Sequence, residues 1–491
     1  MEPNILLLTD SYKPTHWKQL PKGVTILRSY LESRGGKFNN TLFYGLQYII
    51  KKHLLGKVVT LEKINRAKLF WDAHIGPGHF NMEGWLHILD KHNGHLPVII
   101  KAVPEGSVIP TGNVLLTIEN TDPEVPWITN YLESILLQIW YPITVGTLSR
   151  EIKKVLFDYM IKTSTHDEET IRGMVKFMLH DFGFRGASSV ESAGIGASAH
   201  IINFKGSDTV EGVLLAQEYY NTVNMLAFSI PASEHSTITS WTEPFEVKAF
   251  ENMLDQFPTG IVACVSDSYN IIRACEEHWG TTLRSKILNR DGRLVIRPDS
   301  GDPVQTLKRI FNILWDKFGG TINTKGYKVI DPHVRVIQGD GINYESIIEI
   351  LDMMVEEKFS VENIVFGMGG ALLQKVDRDT QKFAIKCSSI VRDGVEVDVQ
   401  KNPLEIDSNG NMVQSFKKSK AGRLKLVRKS SNGFTYHNTD NIEYDTIQHV
   451  EDFSDDILTT IYENGVLLKE WTFEEIIERA EVFSHPIEEN V

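Results

Sequence analysis

Short apolar runs recur through the middle of the chain, and each closes on an aspartate, a glycine or both. They are FMLHDFG (Phe177 to Gly183), IINFKGSD (Ile201 to Asp208), CVSDSY (Cys264 to Tyr269), LVIRPDSGD (Leu294 to Asp302), VRVIQGDG (Val334 to Gly341) and IVFGMGG (Ile364 to Gly370). Helical spacing separates several of them. After Asp302, Pro303 opens a segment whose Val304, Leu307, Ile310, Phe311, Leu314 and Phe318 share one face, and Gly319 stops it. After Gly341, Ile347, Ile348, Leu351, Met354 and Val355 repeat that spacing. Strand then helix, repeated, predicts parallel strands joined by right-handed crossovers. A series of strand ends carrying acid and glycine predicts a barrel-like α/β enzyme with its site on one rim.

The flanking segments read differently. Val98 to Val103 and Val114 to Glu119 alternate as strands around a turn-rich link and are expected to pair antiparallel. Trp127 to Tyr141 reads as an apolar helix ended by Pro142. Ser188 to Ala199 is full of small residues. It reads either as a helix that lets another element approach closely or as a phosphate-contacting turn, and packing is the better supported. Phe383 to Ile390 and Val395 to Gln400 flank the turn pair Asp393-Gly394. The expected organisation is a β-rich mixed domain over 1–150, an α/β barrel carrying the site over 151–385, and a return to the β-rich domain with a C-terminal extension over 386–491.

A length of 491 residues allows one large domain or two to three ordinary ones. The net charge of −13 argues against a nucleic-acid binder. It leaves an anionic small substrate open, because local cations decide that. Three cysteines, an odd number without metal-ligand spacing, point to a reduced protein with buried thiols. The first apolar run is too short for a signal-peptide core, lacks a basic flank and ends at Asp10. No apolar stretch is long enough to span a bilayer. A cytoplasmic location without a membrane partner is the expectation.

The rim motifs carry the chemistry. In RPDSGD, Asp299 suits sugar hydroxyls, which are donors, while Ser300 and Gly301 present backbone N–H groups; a plain tight turn explains the motif equally well. In QGDG, Asp340 lies between glycines that let a ligand approach the backbone. FGMGG opens a helical pattern at Ala371, an arrangement suited to a monophosphate. HDFGFRG sets Phe182 beside Arg185, suited to stacking on a flat ring and pairing with phosphate. SEHSTI joins Glu234 to His235, a candidate acid/base or phosphoryl acceptor. DSYKPTH (Asp10 to His16) reads only as a polar turn. The basic run from Lys417 to Lys429 reads mostly as a solvated face.

Taken in order, TDSYKPTHWKQ, FYGLQYI, HDFGFRG, ESAGIGASAH, NFKGSDT, SEHSTIT, SDSY, IRPDSGDP, RVIQGDG and LLQKVDRD resemble the nicotinamide phosphoribosyltransferases, as far as about Gly422. The resemblance implies a type II phosphoribosyltransferase fold: an irregular (β/α) barrel with a β-rich domain built from both ends of the chain. It implies condensation of nicotinamide with 5-phosphoribosyl-1-pyrophosphate to nicotinamide mononucleotide and pyrophosphate in NAD salvage, with Mg²⁺, by a homodimer with shared sites. It implies that Phe182 and the partner subunit's Tyr12 sandwich the pyridine ring, and that Asp208 accepts the carboxamide N–H. Arg185, His235 and Arg297 are implied on the pyrophosphate. Asp299, Gly339 and Asp340 are implied on the ribose, with Gly369, Gly370 and the partner's Arg378 on the 5-phosphate. Arg34, Lys386, Lys401 and Lys417 are implied as further cations and Asp267 as a supporting acid. His235 matches a histidine phosphorylated by ATP.

Two positions depart from that pattern. Ala263 and Met368 stand where serines are usual, each removing a hydroxyl. A nicotinic acid phosphoribosyltransferase, or a non-catalytic dimeric binding protein of the same fold, remains the alternative.

Overall fold

The acid- and glycine-terminated runs become strands of one parallel sheet. Its spatial order is Gly206–Ser207, Leu179–Asp181, Ile364–Met368, Val334–Gln338, Asp291–Arg297 and Thr259–Val265, and every pairing in it is parallel. The sheet curls but its ladder stays open. The segment from Phe228 to Ala232 links its edges through two isolated bridges, Gly206 to Phe228 and Ala232 to Ala263. The result is an irregular α/β barrel, as the alternation of strand and helix predicts.

This computed structural model describes residues 3–406, 408, 410–415, 417–429 and 442–481. The chain divides into two units. One holds Met1–Thr147, Ala216–Thr222 and Asp377–Val491; the other holds Leu148–Leu215 and Val223–Val376, including the parallel sheet. The expected C-terminal extension includes 430–441 and 482–491, which lie outside the described residues.

In the barrel unit the crossover helices form where apolar spacing and caps coincide. Pro303–Phe318 is capped by Asp302, whose carboxylate accepts the Gln305 N–H, and it buries Leu307, Ile310, Phe311, Leu314 and Phe318. Asn343 and Ser346 close a reciprocal cap on Tyr344–Glu356. Val190–Ile201 is a helix capped by Ser189, so the small-residue segment serves packing. A Cβ on Gly212 would lie 2.6 Å from the Cβ of Ala197, a distance that only glycine permits.

The other unit is built on an antiparallel sheet ordered Val395–Asp398, Phe383–Arg392, Val24–Ser33, Val114–Asn120, Val98–Ala102, Thr459–Glu463 and Val466–Leu467. Chain segments from both ends therefore interleave. Asp393 (φ 50°) and Gly394 (φ 78°) make the left-handed pair of a tight hairpin.

Two expectations fail locally. Pro142 does not end a helix. The helix before it stops at Leu137, and Pro142 lies in the first turn of Trp140–Thr163, where a missing N–H is harmless. Ile201, Ile202 and Phe204 are not a strand. They are buried at and just beyond the end of a helix, and only Gly206–Ser207 pairs. A short apolar run fits either state. Among the described residues no helix is long and apolar enough to cross a membrane.

Candidate functional site

Parallel strands send all their C-terminal ends to one rim. In the barrel unit that rim carries a cleft of about 730 Å³, lined by Phe182, Phe184, Arg185, Asp208, Glu234, His235, Ser236, Arg297, Asp299, Gly339, Asp340 and Gly369.

Phe182 is seated from three sides. Its backbone N–H donates to the Met368 carbonyl at 3.0 Å. Its ring packs on the buried cluster of Ala263, Val295 and Ile337. Gly367 makes the seat possible, because a Cβ there would come within 1.9 Å of the ring's Cε2. The Arg297 guanidinium lies 5.6 Å from the ring centroid. The two departures find their surroundings here. Ala263 gives the ring an apolar floor, and Met368 is buried at 1% exposure, serving through its carbonyl.

The strand ends Leu179–Asp181 and Gly206–Ser207 bring up the next groups. Asp208 is exposed, its N–H donates to the Asp181 carbonyl at 3.0 Å, and its Oδ1 accepts from Ser229 Oγ at 2.5 Å. Asp181 points inward instead, accepting from the Gly183 N–H at 2.7 Å and Ser207 Oγ at 3.1 Å. Burial pushes its carboxyl up, against hydrogen bonds that favour the charged form. Burial also pushes His180 down, with Asp208 acting the other way. Beneath them His200 is fully buried between the Gly206 carbonyl (3.1 Å from Nε2) and Ser149 Oγ (2.9 Å from Nδ1). Its burial lowers it to about 4.

The third group is a linked chain of ionic side chains. His235 opens the short helix His235–Thr239, and its Nε2 lies 3.0 Å from Asp267 Oδ1. The other oxygen of Asp267 accepts the Asp299 N–H at 3.0 Å, and the Asp267 side chain is only 3% exposed. Asp299 receives a two-pronged contact from Arg297, Nε at 3.2 Å and Nη2 at 2.9 Å. His235 Nδ1 lies 4.0 Å from Asp299 Oδ2. A histidine anchored through one nitrogen by a buried carboxylate keeps the other for chemistry. The acid that holds His235 is thus Asp267, while its neighbour Glu234 caps the helix. Gly301 (φ 86°) and Gly341 (φ 69°) turn the two acid-bearing loops. The helix after Gly369 is one turn, Gly370–Leu373, and Gly370 lies against Gly186.

Of the residues singled out from the sequence, Phe182, Arg185, Asp208, His235, Arg297, Asp299, Gly339, Asp340 and Gly369 line this cleft, and Asp267 is bonded to it. Tyr12, Arg34, Arg378, Lys386, Lys401 and Lys417 belong to the other unit. There Tyr12 is 58% exposed, and Arg34 Nε pairs with Glu32 Oε1 at 2.8 Å. Lys386 is half-buried, and burial lowers it; Glu133 opposes this, while Arg34, Lys401 and Lys13 add to it. In the basic run, Lys420 pairs with Glu32, Lys425 with Asp455 and Lys429 with Asp445. Sequence reasoning missed Phe184 and Ser236 on the cleft wall, and Ser229 behind Asp208. Phe184 and Ser236 stand inside motifs already singled out, whereas nothing in sequence marks Ser229.

Two family models match separate stretches of the chain. Residues 177–433 match the model of the nicotinate phosphoribosyltransferase (NAPRTase) family, and residues 4–100 match that of the nicotinamide phosphoribosyltransferase N-terminal domain. The chain is 49% identical over 475 residues to a nicotinamide phosphoribosyltransferase of Xanthomonas campestris pv. campestris, covering 96% of this chain and 97% of that protein. It is 31% identical to one from Acinetobacter baylyi, covering 97% of each. Among solved structures, a nicotinate-nucleotide pyrophosphorylase from Pyrococcus furiosus superposes with a TM-score of 0.55 at 16% identity, covering 98% of this chain and 95% of that one. Human nicotinic acid phosphoribosyltransferase gives 0.53 at 15%, covering 96% and 93%. At such identities the two structures share the fold.

Proposed function

The chain belongs to the nicotinate and nicotinamide phosphoribosyltransferases of type II fold and is a pentosyl-transferring enzyme, and on that premise we propose that it condenses nicotinamide with 5-phosphoribosyl-1-pyrophosphate in NAD salvage. The observation that carries the choice of nicotinamide is Asp208, an exposed carboxylate on the cleft wall held by Ser229. It can accept a carboxamide N–H and would repel a carboxylate.

In this reading the ring lies on Phe182, and the Tyr12 of the partner subunit covers its other face. The pyridine nitrogen attacks the anomeric carbon, whose bond to the pyrophosphate oxygen breaks with the electron pair leaving on pyrophosphate. That nitrogen carries no proton, so no general base is needed, and alignment is the main task. Arg185 and Arg297 face the charge that grows on the leaving oxygens. Asp299, Gly339 and Asp340 hold the ribose. Gly369, Gly370 and the partner's Arg378 hold the 5-phosphate, with Arg34, Lys386, Lys401 and Lys417 adding positive charge.

Mg²⁺ is read as entering with the pyrophosphate. Asp340 on the cleft wall is the carboxylate that would suit a hard divalent ion, since both oxygens of Asp299 accept from Arg297. Bound there, it would neutralise part of the departing charge. ATP is read as phosphorylating His235. With Nε2 facing Asp267, the acceptor atom is Nδ1. The phosphohistidine would then alter the pyrophosphate end of the cleft and tighten substrate binding.

The test is turnover of nicotinamide against nicotinic acid by the wild type and by Asp208→Asn. The wild type is expected to prefer the amide, and the variant to lose that preference by about tenfold or more, well within the roughly 4 kcal/mol that two charges at contact carry near a protein surface. A wild type that prefers the acid would make it a nicotinic acid enzyme.

A further inference from the structure

The unit that does not carry the cleft contains a cluster with ligand chemistry. His87 lies on the helix Met82–Lys91, and His92 is the first residue past its end. Asp122 follows the strand Val114–Asn120. The Nε2 atoms of both imidazoles converge on one oxygen, Asp122 Oδ2, at 2.7 Å from His87 and 2.6 Å from His92. The three donor atoms lie within 4.8 Å of one another, and among the described residues this is the grouping of such side chains with that geometry.

The carboxylate is fixed in advance. Its other oxygen accepts the Glu124 N–H at 2.9 Å, and the Asp122 carbonyl accepts from Asn120 Nδ2 at 2.8 Å. Oδ2 is thereby aimed at the imidazoles. The rings stand 6.1 Å apart at 60°, each about a quarter exposed, which leaves a solvent-facing side.

We propose that His87, His92 and Asp122 form a binding site for a divalent transition ion of the zinc type, with a water on the open side. Two imidazoles with one carboxylate suit zinc and disfavour Mg²⁺ and Ca²⁺, which take oxygen. A tetrahedral ion with bonds near 2.0 Å spaces its donors by about 3.3 Å. The two nitrogens must therefore draw back from Oδ2 by roughly 0.6 to 0.7 Å and take that same spacing from each other, an adjustment of side-chain torsions. The ion replaces the two N–H donors that otherwise share one oxygen. It would tie the end of the helix to the end of the strand, a structural role separate from the chemistry of the cleft.

The experiment uses the full-length enzyme stripped with a chelator and titrated with Co²⁺ and then Zn²⁺. The variants are His87→Gln and His92→Gln, which still offer Asp122 an N–H but are poor ligands. The wild type is expected to bind one more equivalent than either variant and to show the visible bands of four-coordinate cobalt, quenched by zinc. Either variant is expected to weaken that equivalent by more than about 100-fold, since even groups behind a ligand contribute about 10–100-fold. X-ray absorption on the zinc-loaded wild type needs no variant and is expected to give a nitrogen and oxygen shell with two imidazoles. Equal stoichiometry and affinity in wild type and variants, an absence of cobalt bands, or a shell containing sulfur would overturn the proposal.

Discussion

Gly367→Ala isolates what the ring seat contributes. A Cβ at that position would lie 1.9, 2.3 and 2.8 Å from three atoms of the Phe182 ring. Carbon atoms pack no closer than about 3.5 Å, so the ring must retreat by roughly 1.6 Å. It cannot do so freely, because its backbone N–H is tied to Met368 and its ring packs against Ala263, Val295 and Ile337. Overfilling a packed site costs about 1–3 kcal/mol in stability. Displacing an aligning group by about 1 Å can cost about 100-fold in rate, or about 2.7 kcal/mol. We therefore expect kcat/KM for nicotinamide, at saturating phosphoribosyl pyrophosphate, to fall about 100-fold in Gly367→Ala. In a Phe182→Ala background the added methyl meets no ring, and the same substitution should cost less than about 0.5 kcal/mol, giving a coupling energy of about 2 kcal/mol. Thermal melts of each variant identify any loss that comes from unfolding. Equal losses in both backgrounds would refute the argument that Gly367 acts through the ring.

Other expectations follow from the same geometry. His235→Ala should abolish stimulation by ATP, and Asp267→Asn should weaken it by about tenfold through loss of the carboxylate that orients the imidazole; full stimulation in either, measured as initial rate with and without ATP, would contradict the coupling. His200 titrates near 4 when folded, against about 6.5 unfolded. Its depressed value contributes stability above pH 6.5 that is lost as pH falls toward 4, by up to about 3 kcal/mol. The wild-type melting temperature should accordingly drop between pH 6.5 and 4 more steeply than that of His200→Gln, and parallel curves would exclude the effect. If each site needs two protomers, equal mixing of Tyr12→Ala and Phe182→Ala subunits, unfolded and reassembled together, should restore about a quarter of wild-type activity through hybrids with one intact site; no restoration would argue for sites complete within one chain.

The barrel was legible because its signal repeats. Each strand closes on acid or glycine, and parallel topology carries all these ends to one rim, so RPDSGD, QGDG and HDFGFRG could be joined without knowing a contact. What escaped was whatever depends on atoms distant in sequence. The resemblance implies Asp267 as a supporting acid, but that it is the residue holding His235, from 32 positions away, while the adjacent Glu234 caps the helix, is visible only in the structure. Gly367 read as one glycine of a phosphate cluster, whereas its lack of a side chain accommodates Phe182. Pro142 and Ile201 were misread for a different reason: proline tolerates the first turn of a helix, and a short apolar run fits both a buried helix end and a strand.

The central claim is tested most directly by quantifying both products from one reaction. Purified wild-type enzyme given nicotinamide, 5-phosphoribosyl-1-pyrophosphate and Mg²⁺ is predicted to form nicotinamide mononucleotide and pyrophosphate in equal amounts, with Phe182→Ala strongly impaired. Pyrophosphate release without the mononucleotide, or undiminished synthesis by Phe182→Ala, would contradict it.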